Sequence, residues 1–283
     1  MDLKFSSLTL KITIIWFIFS NFLLPKSLAE NVLKQVYEQG LLKVAIREDS
    51  PPLGYLDPAG ILTGYCLDFI DLLVEKIKQE SGRQILTIKL IESTIENRFS
   101  LLRNQQVYLE CGPNTIRSDL TDVWFSQPFF HTGTKFLVKK NNLSQINING
   151  SLRDRTIGVL INTTTESFIR QTYPEAKIKR FYGATGKTRA IQAVSQGKIA
   201  LFASDDILIR GELLRLGFSL EDYKLIPSEP LTCDLYGMIL PLAQPQWRDL
   251  VNRVINSQEM ATINQKWFGN LWQKDLDLNS ICR

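Results

Sequence analysis

Short β-branched runs alternate along this chain with longer stretches in which apolar residues recur every three or four positions. Lys43-Val44-Ala45-Ile46 predicts a strand. A proline-rich loop leads from it to a helix whose Cys66, Phe69, Ile70, Leu73, Val74 and Ile77 share one face. Ile85–Leu90 is the next expected strand, Phe99–Leu102 a short helical piece and Val107–Leu109 a further strand. After Phe136-Leu137-Val138 the arrangement begins again. Thr156–Ile161 reads as a strand, Thr165–Gln171 as a helix, Ile199–Phe202 as a strand, and Ile207–Leu216 as a helix ended by Gly217. Strands alternating with helices predict α/β parallel sheets built from right-handed crossovers. Two such sets predict two lobes.

A tail strand is expected at Tyr236–Leu240. A helix with Trp247, Leu250, Val251 and Val254 on one face and a closing Lys266-Trp267-Phe268-Gly269 follow it. The tail is too short for a third domain and should pack back on one of the lobes. The polar stretch Asn141–Gly150 and the segment around Ser228–Leu231 suit the two crossings between lobes. This divides the chain into lobe 1 at 30–138 and 232–283 and lobe 2 at 139–231. Ligands of open α/β sheets bind outside the carboxyl ends of the strands. The loops 47–66, 110–118, 162–166 and 203–206 are therefore expected to face a cleft between the lobes.

The first segment stands apart from this pattern. Lys4 and Lys11 precede an apolar run from Ile12 to Leu24, and Ser27 and Ala29 supply the small residues of a signal-peptidase site. A cleaved signal peptide at 1–29 is expected, with a soluble periplasmic product. The alternative, an uncleaved anchor, is disfavoured because the run is shorter than the roughly 20 residues that span a bilayer. No cysteine follows the expected cut, which argues against a lipid anchor. Removing the leader, with its three lysines and one aspartate, leaves 30 basic against 28 acidic residues. That balance, with no basic block interleaved with aromatics, excludes nucleic acid as a partner. Cys66, Cys111, Cys233 and Cys282 allow three disulfide pairings. Cys66 with Cys111 is the pairing favoured by their expected place at the cleft end of the first lobe. The cysteine spacings fit no common zinc pattern and His131 is the only histidine, so neither a metal site nor a cofactor is expected.

Several motifs occur in a telling order. Arg47-Glu48-Asp49-Ser50-Pro51-Pro52-Leu53-Gly54-Tyr55 precedes Gly64-Tyr65-x-x-Asp68, and Glu110-Cys111-Gly112-Pro113-Asn114-Thr115 precedes Phe125-Ser126-x-Pro128-Phe129 and Gly133-Thr134. Ile157-Gly158-Val159 with Thr163-Thr164-Thr165-Glu166, Gly197-x-Ile199-Ala200 with Ser204-Asp205-Asp206, and Lys266-Trp267-Phe268-Gly269 complete the set. From about Leu41 to Gly269 the chain resembles the extracytoplasmic solute-binding proteins of polar amino-acid ABC importers, the glutamate/aspartate type among them. The resemblance implies the type II periplasmic-binding-protein fold. It also implies capture of a free amino acid in the interlobe cleft by a monomer, and delivery to the importer's transmembrane subunits.

A buried amino acid needs donors for its carboxylate and a negative charge for its ammonium, since an unpaired buried charge is very costly. Arg117 is the candidate for the carboxylate because its fork matches both oxygens. Asn114 belongs to the same loop, and Thr115 with backbone amides near Thr163 and Thr164 can add donors. Relatives usually carry the arginine six residues before the Phe-Ser pair, where Asp119 stands here. Either Arg117 takes that role or backbone and hydroxyl donors hold the carboxylate. Asp205 matches the acid that relatives aim at the ammonium, with helix N-capping as its alternative, a role open also to Asp206. Arg47 and Arg98 align with arginines near the distal carboxylate of acidic ligands. Against an acidic ligand, Ile95 and Lys187 stand where those relatives place a ligand-facing serine and histidine. Tyr55 could stack on the ligand or cover the core. Trp124, Trp247 and Trp267 fit core positions better than binding roles. An enzyme of the cyclic-acid dehydratase kind on the same fold, or the ligand-presenting subunit of a sensor, are the competing functions. The absence of a spare histidine disfavours the first.

Overall fold

A computed structural model describes residues 31–269. The expected leader and Cys282 lie outside the described residues. Helix α1 (Val32–Gln39) leads into β1 (Leu41–Arg47). A small antiparallel ribbon of β2 (Asp49–Ser50), β3 (Gly54–Leu56) and β4 (Leu62–Thr63) precedes α2 (Tyr65–Ser81). Then come β5 (Thr87–Ser93), α3 (Arg98–Arg103), β6 (Leu109–Cys111), β7 (Val123–Phe125) and β8 (Phe130–Thr132). A second winding runs through β9 (Thr134–Lys139), β10 (Thr156–Leu160), α4 (Thr164–Thr172), β11 (Lys177–Phe181), α5 (Gly186–Ser195), β12 (Leu201–Asp205), α6 (Asp206–Arg215) and β13 (Tyr223–Ile226). The chain returns through β14 (Asp234–Tyr236) and β15 (Ile239–Pro241) to α7 (Pro245–Ile255) and α8 (Gln258–Phe268).

Two five-stranded sheets result, with orders β5-β1-β6-β15-β7 and β11-β10-β12-β9-β13. In each, the first three strands are parallel and the fourth is antiparallel to the third. The repeated α/β pattern of the sequence is thus the same winding executed twice. Both crossings between the lobes run beside an antiparallel pair, β8 with β14, in which Thr132 opposes Asp234 and Phe130 opposes Tyr236.

The lobe boundary differs from the expected one. Thr134–Lys139 pairs with β12 and β13, so this strand belongs to the second sheet, and lobe 2 begins near Thr134 instead of at 139. The polar stretch after it is no junction: Lys140–Gln145 forms a 3-10 turn beyond the end of β9. The tail strand expected at Tyr236–Leu240 is broken in two, its first part serving the crossing and its second the first sheet.

The apolar face of α2 is buried as its periodicity requires: Phe69, Leu73 and Ile77 are fully covered. Burying each such side chain contributes roughly 1.5–3 kcal/mol. Tyr65, at the helix start, stacks on Phe129 with 5.1 Å between ring centroids and meets Phe268 at 5.0 Å. Asp68 in the first turn accepts from Trp267 Nε1 at 2.7 Å and pairs with Lys266 Nζ at 2.6 Å. Two motifs some two hundred residues apart therefore meet, and the tail packs on lobe 1. Trp247 is fully buried and donates to the Tyr108 carbonyl at 2.7 Å. A disulfide joins Cys66 at the start of α2 to Cys111 at the end of β6, with 5.7 Å between their Cα atoms. Cys233 is disulfide-bonded as well. Among the described residues no helix is long and apolar enough to cross a membrane.

Candidate functional site

Every one of the six parallel strands delivers residues to one cavity between the lobes, and each does so at its carboxyl end. The cavity and the solvent space at its mouth together span about 610 Å³. From the first sheet come Arg47 at the end of β1, Ile95, Arg98 and Phe99 after β5, and Asn114, Thr115 and Arg117 after β6. From the second come Thr163, Thr164 and Thr165 after β10, Lys187 after β11, and Asp205 at the end of β12.

The two sides touch. Thr115 Oγ1 lies 3.5 Å from Thr164 Oγ1, and Lys187 Nζ donates across the cleft to the Asp49 carbonyl at 3.0 Å. Thr163 is the N-cap of α4, its hydroxyl accepting from Glu166 N at 3.0 Å. The amides of Thr164 and Thr165 thus open a helix N-terminus onto the cavity, a ready anion site.

One end of the cavity is cationic. Arg47 is almost fully buried and pairs with Asp49, Nη2 to Oδ1 at 2.6 Å. Burial alone would raise the Asp49 carboxyl, but Arg47 and Lys187 hold it below the usual range. Arg98 is 9% exposed and lies 4.9 Å from the Phe99 ring centroid. Among the described residues it has no salt-bridged carboxylate, and its Nε has no hydrogen-bond partner. Burial, reinforced by Arg47, lowers its proton affinity to about 10. Lys187 is likewise buried and its ammonium pushed down by desolvation. Glu110 acts electrostatically on both arginines from within the first sheet. It accepts from Ser93 Oγ at 2.7 Å and from the Asn114 amide, and burial raises its carboxyl.

The other end is acidic. Asp205 accepts from Thr165 Oγ1 at 3.2 Å and from the hydroxyl of Tyr236 on the crossing strand β14. Asp234, two residues earlier on that strand, accepts from Thr115 Oγ1 at 3.1 Å and from Thr232. Burial first, and repulsion from Asp234 second, push the Asp205 carboxyl up to about 7. Although Asp205 occupies the N-cap position of α6, its side chain makes no capping bond. Asp206 does not cap either. It pairs with Arg210 at 2.6 Å and Lys135 at 3.5 Å.

Eight of the nine residues singled out from the sequence, Arg47, Arg98, Asn114, Thr115, Arg117, Thr163, Thr164 and Asp205, line this cavity. Tyr55 does not line it. It sits on β3 against Trp267, edge to face at 6.4 Å, in a separate groove. Arg117 is partly exposed, 3.6 Å from Asp119 and 5.7 Å from the Phe99 ring. Sequence reasoning missed Ser50, Phe99, Thr165 and Ser204, and it counted Lys187 against an acidic ligand. Among the described residues no cluster of His, Cys, Asp or Glu could hold a metal ion.

Comparison with known proteins places this geometry. The model of the bacterial extracellular solute-binding proteins, family 3, matches residues 42–270. The chain belongs to that family. It is 28% identical over 258 residues to the glutamate/aspartate import solute-binding protein of Escherichia coli K12, covering 89% of this chain and 84% of that one. Solved structures share the fold. An ABC uptake transporter substrate-binding protein from Streptococcus pneumoniae, with bound histidine, matches at a TM-score of 0.72 and 14% identity, covering 85% of this chain and 97% of its own. The ancestral amino acid-binding protein AncCDT-1, a precursor of cyclohexadienyl dehydratase, matches at 0.71 and 20%, covering 85% and 99%. The chain therefore has the two-lobed fold anticipated from the repeated winding.

Proposed function

We propose that this family-3 protein binds free L-glutamate or L-aspartate in the periplasm and hands it to an ABC importer. The observation that carries this reading is the buried, unpaired guanidinium of Arg98 beside Arg47 and Lys187. Four cations line the cavity against one lining carboxylate. Asp49 pairs Arg47, and Glu110 acts on both arginines. Neither Arg98 nor Lys187 has a salt bridge among the described residues, and the second carboxylate of an acidic ligand would supply one where a neutral side chain would not. The E. coli relative's name agrees with an acidic ligand.

In this reading Asp205 takes the ammonium. Arg117, Thr115 and the α4 amides take the α-carboxylate. Arg47, Arg98 and Lys187 take the distal carboxylate, with Asn114 holding the loop. Ligand contacts on both lobes shift an open–closed equilibrium towards the closed form, which the importer recognises. The chain acts by binding and not by catalysis, as a monomer.

Titration calorimetry on residues 30–283, stripped of ligand, tests the reading. Glutamate or aspartate should bind near micromolar Kd. Glutamine or asparagine should bind about 10- to 150-fold more weakly, since each charge-assisted hydrogen bond contributes roughly 1.5–3 kcal/mol. Equal affinity for glutamate and glutamine would sink the acidic assignment. No binding of any amino acid would sink the function.

A further inference from the structure

Gly211 lies in the interior of α6, where glycine is less favourable than alanine. A Cβ at this position would stand 2.3 Å from the Pro51 carbonyl oxygen, 2.6 Å from its carbonyl carbon and 3.0 Å from Pro52 Cδ. These are backbone and ring atoms, which cannot swing aside as the tip of a lysine could.

The contact crosses the cleft. Helix α6 follows β12 of the second sheet, whereas Pro51 and Pro52 join β2 to β3 in the first lobe. Neither side has room to retreat. The proline loop is pinned to the start of α2, where Tyr65 N donates to Pro52 O at 3.0 Å and Cys66 N to Leu53 O at 2.8 Å. On the other side Ile207 and Leu208 of α6 are buried within the first lobe's own core cluster. Asp205 immediately precedes α6. The depth at which the helix seats on the proline loop therefore sets how far Asp205 advances towards Thr115 and Arg117.

We infer that Gly211 is a positioning residue for lobe closure: its missing side chain lets α6 seat on the Pro51–Pro52 loop and so completes the ligand site. This rests on the closure reading above. The Gly211→Ala substitution removes a helix-weakening residue while obstructing the seat. It should leave the ligand-free protein at least as heat-stable as the wild type and yet weaken ligand binding, a combination that loss of ordinary packing does not produce.

The test uses a trap for the closed form that needs no ligand. In a Thr115→Cys, Thr164→Cys background the two introduced sulfurs meet only when the lobes close, so the rate of oxidative cross-linking reports access to that state. Adding Gly211→Ala should slow cross-linking about tenfold, Gly211→Val more, and with the native threonines the apparent Kd for glutamate should rise in parallel. Unchanged cross-linking in both Gly211 variants, with helical content intact by circular dichroism, would overturn the inference. So would a Gly211→Ala protein that melts well below the wild type, because the glycine would then serve the fold. If the parent background itself fails to cross-link, the closed contact is not reached and the inference falls. Slowed cross-linking in a protein that ignores glutamate would support Gly211 and remove the acidic ligand instead.

Discussion

Asp205 holds its proton more tightly than an exposed aspartate because it is buried beside a second acid, Asp234. Its folded value lies above its unfolded one, so its contribution to stability is complete below about pH 4 and is lost as pH rises through about 7. A bound ammonium reverses the preference and expels the proton. Glutamate affinity should therefore rise from pH 5 to pH 8 and then level, with proton release detectable as a buffer-dependent heat of binding. A flat affinity across that range would show that Asp205 is already ionised in the free protein. Asp205→Asn should flatten the profile and weaken binding at pH 8 by about 10- to 150-fold, the loss of one charge-assisted bond. Arg98→Met keeps the bulk of the side chain but removes its charge. It should cost glutamate affinity far more than glutamine affinity and change the melting temperature of the ligand-free protein little, since Arg98 has no salt bridge among the described residues and Glu110 keeps Arg47 as a neighbouring cation. Competition binding and thermal melts would show either outcome.

At the scale of elements, the periodicity of α2 predicted its buried face residue by residue, because one unbroken amphipathic stretch carries the whole signal. The ribbon β2–β4 was not legible, since strands of two or three residues offer no period. Strand β9 was visible as Phe136-Leu137-Val138 yet assigned to the wrong lobe. An apolar run shows that a strand is buried but not which sheet it joins, and only its register with β12 and β13 settles that. Lys187 is marked in the sequence. With Ala190, Ile191 and Val194 it forms the buried stripe of α5 at i, i+3, i+4 and i+7, and a cation in such a stripe marks a site. Arg98 stands in the same relation to Leu101 and Leu102 of α3. The Cys66–Cys111 bridge ties the start of α2 to the strand that launches the Asn114–Thr115 loop. Its loop of 45 residues implies about 4 kcal/mol of stabilisation by restricting the unfolded chain. Replacing both cysteines by alanine should lower the chemical-denaturation stability by about that amount. A change below 1 kcal/mol would mean that the unfolded chain is already compact there.

Across the whole molecule, the cavity belongs to neither lobe alone, for Thr115 and Thr164 approach each other from opposite sheets. Ligand at 100 times its Kd should stabilise the protein by about 2.7 kcal/mol and reduce its radius of gyration in solution scattering. Stabilisation without compaction would place the ligand in one lobe only. The resemblance and the strand–helix alternation located the cleft loops, but the shape of the cavity depends on how two sheets meet, which no single stretch of sequence encodes. The delivery of site residues at strand ends has an evolutionary consequence. Positions such as Ile95, Arg117 and Lys187 lie beyond the last ladder hydrogen bonds, so their exchange alters what is captured while the sheets keep their pairing. Glu110 and Tyr236 are inside the strands and tied to the site at once, and lineages that change ligand should drift at the former group long before the latter.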